Sequence, residues 1–202
     1  MAGEDLRWFD LSCGARLAVE RLPGMRSTAI SWLLPVGTCG DPVGDAGEGE
    51  STVLAELVLR GAGGLSSRAV SDAFDAIGAQ RHGTAGVHHL TVSSLCMGDR
   101  LPEALRLLAM SVREPNLDPD SLEAVRAIAL QALHGLADEP QHLAGVRLRQ
   151  HAMPAPFNRS GYGTEGGLRA LTAQGMRDAW RRRAVPGKTG RRPRCHIPGG
   201  SP

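Results

Sequence analysis

The segment from residue 50 to 60 constrains the fold of this 202-residue chain more than any other part of its sequence. It is bounded by Gly49 and Gly61 and predicts a helix that is apolar on nearly all sides. Such a helix must be buried over most of its surface, so it has to pack between a sheet and other helices. Thr52 and Glu56 interrupt the apolar surface, and their spacing of four residues places them on one face.

Hydrophobic periodicity predicts strands first and then mostly helices. Alternating patterns at 6–11 and 16–21 flank a turn that contains Gly14 and predict a β-hairpin. Further strands are predicted at 28–34, and at 81–85 paired with 88–95. Patterns with apolar residues three or four apart predict helices in other segments, which are about 67–77, 101–112, 120–136, 141–150 and 173–182.

This order of elements predicts an α+β fold, with a mainly antiparallel sheet and helices packed on one face. With 42% apolar residues, the chain has enough material for a sizeable core. We predict a single domain over 1–184, with loops at 37–50 and 153–167. We predict a basic, disordered tail at 185–202.

The charges of the C-terminal region do not indicate nucleic-acid binding. Asp178 is the last acidic residue, and seven basic residues follow it, which are Arg181, Arg182, Arg183, Lys188, Arg191, Arg192 and Arg194. Aromatic residues do not alternate with these arginines, and no motif that reads bases is present. The Gly-Lys-Thr at 187–189 lacks the earlier glycine of a phosphate-binding loop, because that position holds Arg182.

The N-terminus predicts a cytoplasmic protein. Its first seven residues include Glu4 and Asp5, where a secretion signal has a basic start followed by an apolar core. No apolar run approaches the roughly 18 residues that a membrane-spanning helix needs. We therefore predict no membrane segment.

The stretch from Gly49 to Gly61 resembles the signature helix of the insulinase/pitrilysin family of zinc peptidases, G-x-x-H-x-x-E-H-x-x-x-x-G. This family includes mitochondrial processing peptidase. Less specific family features follow in the same order along residues 6–185, at Ile77-Gly78, Gln131, Asp138-Glu139-Pro140, Gly161-Tyr162-Gly163-Thr164-Glu165-Gly166 and Leu171-Thr172. The resemblance implies a LuxS/metallohydrolase-like domain.

The chemical groups of that signature are missing here. The two zinc-binding histidines of the family correspond to Thr52 and Glu56, and its general base corresponds to Ala55. The family's distal glutamate ligand falls near Gln131. Zinc in a catalytic site needs about three imidazole, thiolate or carboxylate ligands, and Glu56 alone does not supply them. The resemblance therefore predicts a degenerate site with no catalytic residue, no metal and no cofactor.

The resemblance also implies partners. Family members pair two such domains, within one chain or as two subunits, around a chamber that holds the peptide. The peptide adds as a strand to a sheet edge, which corresponds here to residues 82–85. We therefore predict a noncatalytic pseudoenzyme, the partner in a heterodimer of an active zinc peptidase subunit or a second homologous domain, with a peptide as possible ligand.

Two alternatives remain open from the sequence. One is a divergent zinc metalloendopeptidase that recruits other ligands, such as Glu56 with His82 or a histidine of a partner. The other is a defective remnant that exposes an apolar interface. The histidine spacings match no zinc signature, and adjacent His88 and His89, in a predicted strand, would point to opposite faces.

Overall fold

The computed structural model describes residues 5–184. The strands in this range are β1 (Asp5–Asp10), β2 (Arg16–Arg21), β3 (Ser27–Leu34), β4 (Gln80–Ala85) and β5 (Leu90–Met97). The helices in this range are α1 (Glu50–Leu57), α2 (Ser67–Ala76), α3 (Leu101–Arg113), α4 (Pro119–Gly135), α5 (Pro140–Ala152), α6 (Glu165–Ala170) and α7 (Ala173–Arg183). All strand pairs are antiparallel, and the predicted α+β class is confirmed.

The N-terminal hairpin forms a sheet of its own. Strand β1 pairs with β2, whereas the main sheet has the order β3-β5-β4. Adjacent residues of a strand point to opposite faces, and the neighbours Trp8 and Phe9 are 60% and 47% exposed. Residues 5–184 therefore cover neither face of the hairpin.

One face of the main sheet carries the core. In β5 the side chains of Leu90, Val92 and Cys96 are buried, while Leu95 and Met97 between and beyond them are exposed. Helices α1 and α3 pack against β5, and α1 and α2 pack against β4. This alternation is the pattern expected of a sheet with one buried face.

Side-chain caps explain where several helices begin. The Ser66 hydroxyl accepts a hydrogen bond from the amide of Ala69, and the Asp118 carboxylate accepts one from the amide of Ser121. These caps satisfy amides that have no partner within the helix. They agree with the sequence-based starts of α2 and α4.

The predicted loop at 153–167 needs correction, because it contains the beginning of α6. Thr164 accepts a hydrogen bond from the amide of Gly167 and so caps this helix. Glycines at 166 and 167 lower the helix propensity of the segment, which hid the helix from the sequence pattern.

The predicted strand at 88–95 is shifted, because β5 spans Leu90–Met97. His88 and His89 lie in the turn before the strand, and the ring of His88 packs 5.3 Å from that of Phe157. The alternation argument for these two histidines therefore does not apply.

No helix within residues 5–184 is long and apolar enough to cross a membrane. The predicted basic tail at 185–202 lies outside the described residues. The cytoplasmic location stays a prediction.

Candidate functional site

Helix α1 lies directly against strand β4. A β-carbon on Gly83 of β4 would overlap the carbonyl oxygen of Ala55 in α1. A side chain at position 83 would therefore push the helix away from the sheet. This close approach places the polar face of α1 beside the edge of the sheet.

The predicted degenerate positions of α1 differ in exposure. Glu56 is exposed and Thr52 is half-buried, whereas Ala55 is 2% exposed and belongs to the core. The Thr52 hydroxyl donates a hydrogen bond of 2.6 Å to the carbonyl of Gly161. Thr52 and Glu56 therefore form a polar strip on an otherwise buried helix, as the spacing predicts.

Gln131 points away from the packed side of α4. Ala129 and Leu133 pack against the core, whereas Gln131 is exposed. Residues two apart do not share a helix face, so Gln131 cannot lie on the face formed by Ala129 and Leu133. A side chain that reaches toward the core from this part of α4 would stand at Leu133.

The donor groups at these positions do not fit zinc. A threonine hydroxyl that already donates to a carbonyl, an alanine and a solvent-facing glutamine offer no imidazole, thiolate or carboxylate. Within residues 5–184 no three histidine, cysteine, aspartate or glutamate side chains are grouped so that they could hold a metal ion. Glu56 and His82 line the same cleft, but two donors fall short of the roughly three protein ligands of a catalytic zinc site.

A buried carboxylate anchors the N-terminus of α1. The Asp41 side chain accepts hydrogen bonds from the amides of Gly49 and Ser51, at 3.2 and 3.1 Å, and from the Ser51 hydroxyl. Amides in the first turn of a helix have no partner within the helix, and a negative charge there is favourable. Asp41 therefore fixes where α1 begins.

Arg183, at the end of α7, joins this anchor. Its guanidinium donates to Asp41 at 3.0 Å, to Glu50 at 2.7 Å and to the Ser51 hydroxyl at 2.9 Å. Burial raises the pKa of Glu50 above its ordinary value, although the hydrogen bond and charge of Arg183 act against the rise. The cluster of Asp41, Glu50, Ser51 and Arg183 is named the α1 anchor below.

Sequence reasoning missed the α1 anchor. It grouped Arg183 with the basic residues at the end of the chain and left Asp41 in a solvated loop. Arg183 and Asp41 are 142 positions apart, so no local spacing could have indicated their contact.

A first cleft runs along the beginning of β4. It has a volume of about 660 Å³ and is lined by Glu56 of α1, by Arg60 in the turn after α1, by Asp75 of α2, and by His82 and Gly83 of β4, among others. It is named the Glu56 cleft. Its lining carries both signs of charge.

A second cavity lies beyond the end of β4. It has a volume of about 440 Å³ and is lined by Thr38, Ala85, Gly86, Val87, Gln141, His142, Gly145, Val146, Arg149, Ser160, Gly161 and Tyr162. It is named the Arg149 pocket. Strand β4 is at the edge of its sheet, so the cleft lies along the free edge at Gln80 to Gly83, and the pocket begins at Ala85, where the strand ends.

Comparison with known proteins identifies relatives of partial length. No family model matches the chain. Proteins of Mycobacterium bovis and Mycobacterium tuberculosis, named uncharacterized zinc proteases, are 24% identical over 174 residues. The alignment covers 86% of this chain and 39% of each relative, so the chain spans well under half the length of these relatives.

Solved structures share the fold. The crystal structure of a peptidase M16 inactive domain from Pseudomonas fluorescens superimposes with a TM-score of 0.78 at 18% identity, over 87% of this chain and 43% of that one. The crystal structure of pitrilysin superimposes with a TM-score of 0.73 at 19% identity, over 90% of this chain and 20% of the pitrilysin chain. The structure of a protease from Helicobacter pylori superimposes with a TM-score of 0.76 at 15% identity, over 87% of this chain and 42% of the protease chain. The resemblance is thus confirmed, and the chain is a domain with the fold of the insulinase/pitrilysin-type, or M16, peptidases.

Proposed function

We propose that this chain is a noncatalytic insulinase-type domain that binds an extended peptide along the free edge of β4. The observation that carries the proposal is the edge itself. Strand β4 has β5 on one side, the Glu56 cleft lies along it, and the Arg149 pocket lies at its end. A peptide strand placed there would gain main-chain hydrogen bonds from β4 and side-chain contacts from both cavities.

The residues of α1 support the noncatalytic part of the proposal. In the alignment that the resemblance implies, Thr52, Ala55 and Glu56 correspond to the family's ligands and base, and Ala55 has no group that can accept a proton. The relatives named zinc proteases and the solved structure described as an inactive M16 domain show that both kinds of name occur among similar proteins. The alternative is a divergent metallopeptidase that binds zinc through Glu56 and His82. These two residues supply two donors, whereas a catalytic zinc site has about three protein ligands.

The exposed hairpin supports a partner domain. A two-stranded sheet is marginally stable in water unless another element packs on it. Several large apolar side chains on the hairpin are more than two-fifths exposed, and these are Leu6, Trp8, Phe9, Leu17 and Val19. We propose that a second insulinase-type domain, in an active subunit or in the same protein, covers this surface.

Backbone methylation of the peptide tests strand addition. Peptides of about ten residues would be selected from a random pool for binding to the chain and then N-methylated at either the odd or the even positions. Alternate amides of a strand face the neighbouring strand, so we expect one methylated set to bind at least about tenfold more weakly and the other to bind nearly as well as the parent. Fluorescence anisotropy of a labelled peptide measures the affinity.

This design leaves the protein unchanged, so misfolding cannot imitate the result. Equal binding of the two methylated sets would contradict strand addition. Failure of every peptide in the pool to bind would count against the peptide-binding function as a whole.

Light scattering tests the partner. We expect the chain to form a 1:1 complex with an active homologue that carries the intact zinc motif, and Trp8→Glu with Phe9→Glu to weaken this complex because both add charge to the apolar hairpin. A chain that aggregates alone and ignores the homologue would instead be the defective remnant considered above.

A further inference from the structure

We propose that the Arg149 pocket selects a carboxylate of the bound peptide. This domain would then prefer peptides that place an acidic residue or a free C-terminus in the Arg149 pocket. The proposal rests on the proposed function, because it names the chemistry of the peptide that would bind along β4. Hydrogen bonds hold the floor of the pocket, which is its first wall, and its second wall in place. The charge and the free volume of the pocket fit a carboxylate.

The floor of the pocket is a fixed crossing of two loops. The amides of Thr38 and Cys39 each donate a 3.0 Å hydrogen bond, to the carbonyls of Gly86 and Val87 respectively. A β-carbon on Gly37 would overlap the backbone of Val87 and His88, so the two segments are in direct contact. The pocket floor therefore exists before a ligand arrives.

The second wall is held equally firmly. The Thr52 hydroxyl bonds to the carbonyl of Gly161, and the Ser160 hydroxyl accepts from the amide of Tyr162 at 3.0 Å. Arg159 donates to the carbonyls of Thr38 and Cys39 at 3.2 Å, and also to that of Asp41. This wall is thereby tied to the floor, and it presents Tyr162 to the cavity.

Helix α5 forms the third wall and supplies the charge. No aspartate or glutamate lines the Arg149 pocket in the described part of the chain. The Nδ1 atom of His142 already contacts the carboxylate of Glu139. Arg149 has no carboxylate within ion-pair distance among residues 5–184, and its guanidinium is left to bind a carboxylate as a bidentate fork.

A glycine in the middle of α5 lines the pocket. Glycine within a helix costs about 1 kcal/mol relative to alanine, yet Gly145 lines the cavity and a β-carbon there would meet no atom within 4 Å. The absent side chain leaves room beside Arg149. The backbone at 145 therefore has room for a β-carbon beside the pocket.

The experiment measures binding of two peptide series by anisotropy. The parent is a peptide of about ten residues that contains glutamines and is amidated at its C-terminus. In one series, glutamate replaces one glutamine of this parent at a time. The other series keeps every glutamine and has a free C-terminal carboxylate instead of the amide. We expect a carboxylate in one of these places to tighten binding about tenfold, the scale of a charge-assisted hydrogen bond. The position that responds distinguishes an acidic side chain from a terminus.

Two protein variants, each with a matched control variant, locate the effect. Arg149→Gln should abolish the preference for the carboxylate, so that the glutamate and glutamine peptides bind with similar affinity, whereas Arg147→Gln, which changes an arginine of α5 outside the pocket, should keep the preference. Gly145→Leu should weaken the acidic peptide by filling the cavity. Gly135→Leu is its matched control, because a β-carbon at Gly135 also meets no atom within 4 Å and lies outside the pocket.

The two proposals fail in different ways. If glutamate and glutamine peptides bind equally well and Arg149→Gln changes neither, carboxylate selection is overturned while peptide binding stands. A preference that survives Arg149→Gln also overturns it. If no peptide of either series binds, both proposals are overturned.

Discussion

Replacing Arg183 by alanine is expected to lower the free energy of unfolding by about 3 to 5 kcal/mol, because it removes the cation of a buried ion pair. The Arg183 side chain is 13% exposed, and the carboxylates of Asp41 and Glu50 that it contacts are 1% and 7% exposed. Without the guanidinium, two buried negative charges repel each other at the start of α1. Urea unfolding followed by circular dichroism measures the loss.

A neighbouring arginine provides the control. Arg181 is 74% exposed and pairs with the exposed Asp178, so Arg181→Ala should change the free energy of unfolding by about 0 to 1 kcal/mol. Glu50→Gln should recover part of the loss in the Arg183→Ala background, since it removes one of the two uncompensated charges. A loss from Arg183→Ala no larger than that from Arg181→Ala would show that the α1 anchor contributes little to stability.

Restoring ligands is expected to give a variant that binds about one zinc ion, because about three protein ligands suffice for a catalytic-type site. Thr52→His and Glu56→His place two imidazoles on one face of α1. A glutamate on α4 would supply the third ligand. The packing of α4 favours Leu133→Glu over Gln131→Glu for this purpose, because Leu133 packs against the core and Gln131 is exposed. Metal analysis after dialysis, with a competing chromophoric chelator, measures uptake.

The general-base position is best left unchanged in this test. Ala55 is 2% exposed, and a carboxylate buried there without a partner would destabilise the fold. Folded variants that take up no zinc with either glutamate would count heavily against the alignment of α1 with the zinc-peptidase helix. Zinc bound by the unmodified chain would instead overturn the noncatalytic proposal.

Local patterns were sufficient to predict much of the fold. The hairpin of β1 and β2 and the buried α1 with its Thr52 and Glu56 strip follow from residues within a few positions of each other. Periodicity records which side of an element is buried, because the same spacing repeats along it. The glycine-rich α6 escaped this reasoning because its residues favour helix weakly.

Which element contacts which was decided by tertiary structure. The sequence does not show that the hairpin stands apart from the main sheet, or that Gln131 lies off the packed face of α4. The α1 anchor and the Arg149 pocket likewise bring together residues from distant segments, such as Asp41 with Arg183 and Gly86 with Arg149. The sequence by itself determined the order of elements and placed Thr52, Ala55 and Glu56 together on one helix, because both are local properties of the chain. The Arg149 pocket and its charge arise only when the folded chain brings distant segments together, and such contacts leave no periodic pattern along the sequence.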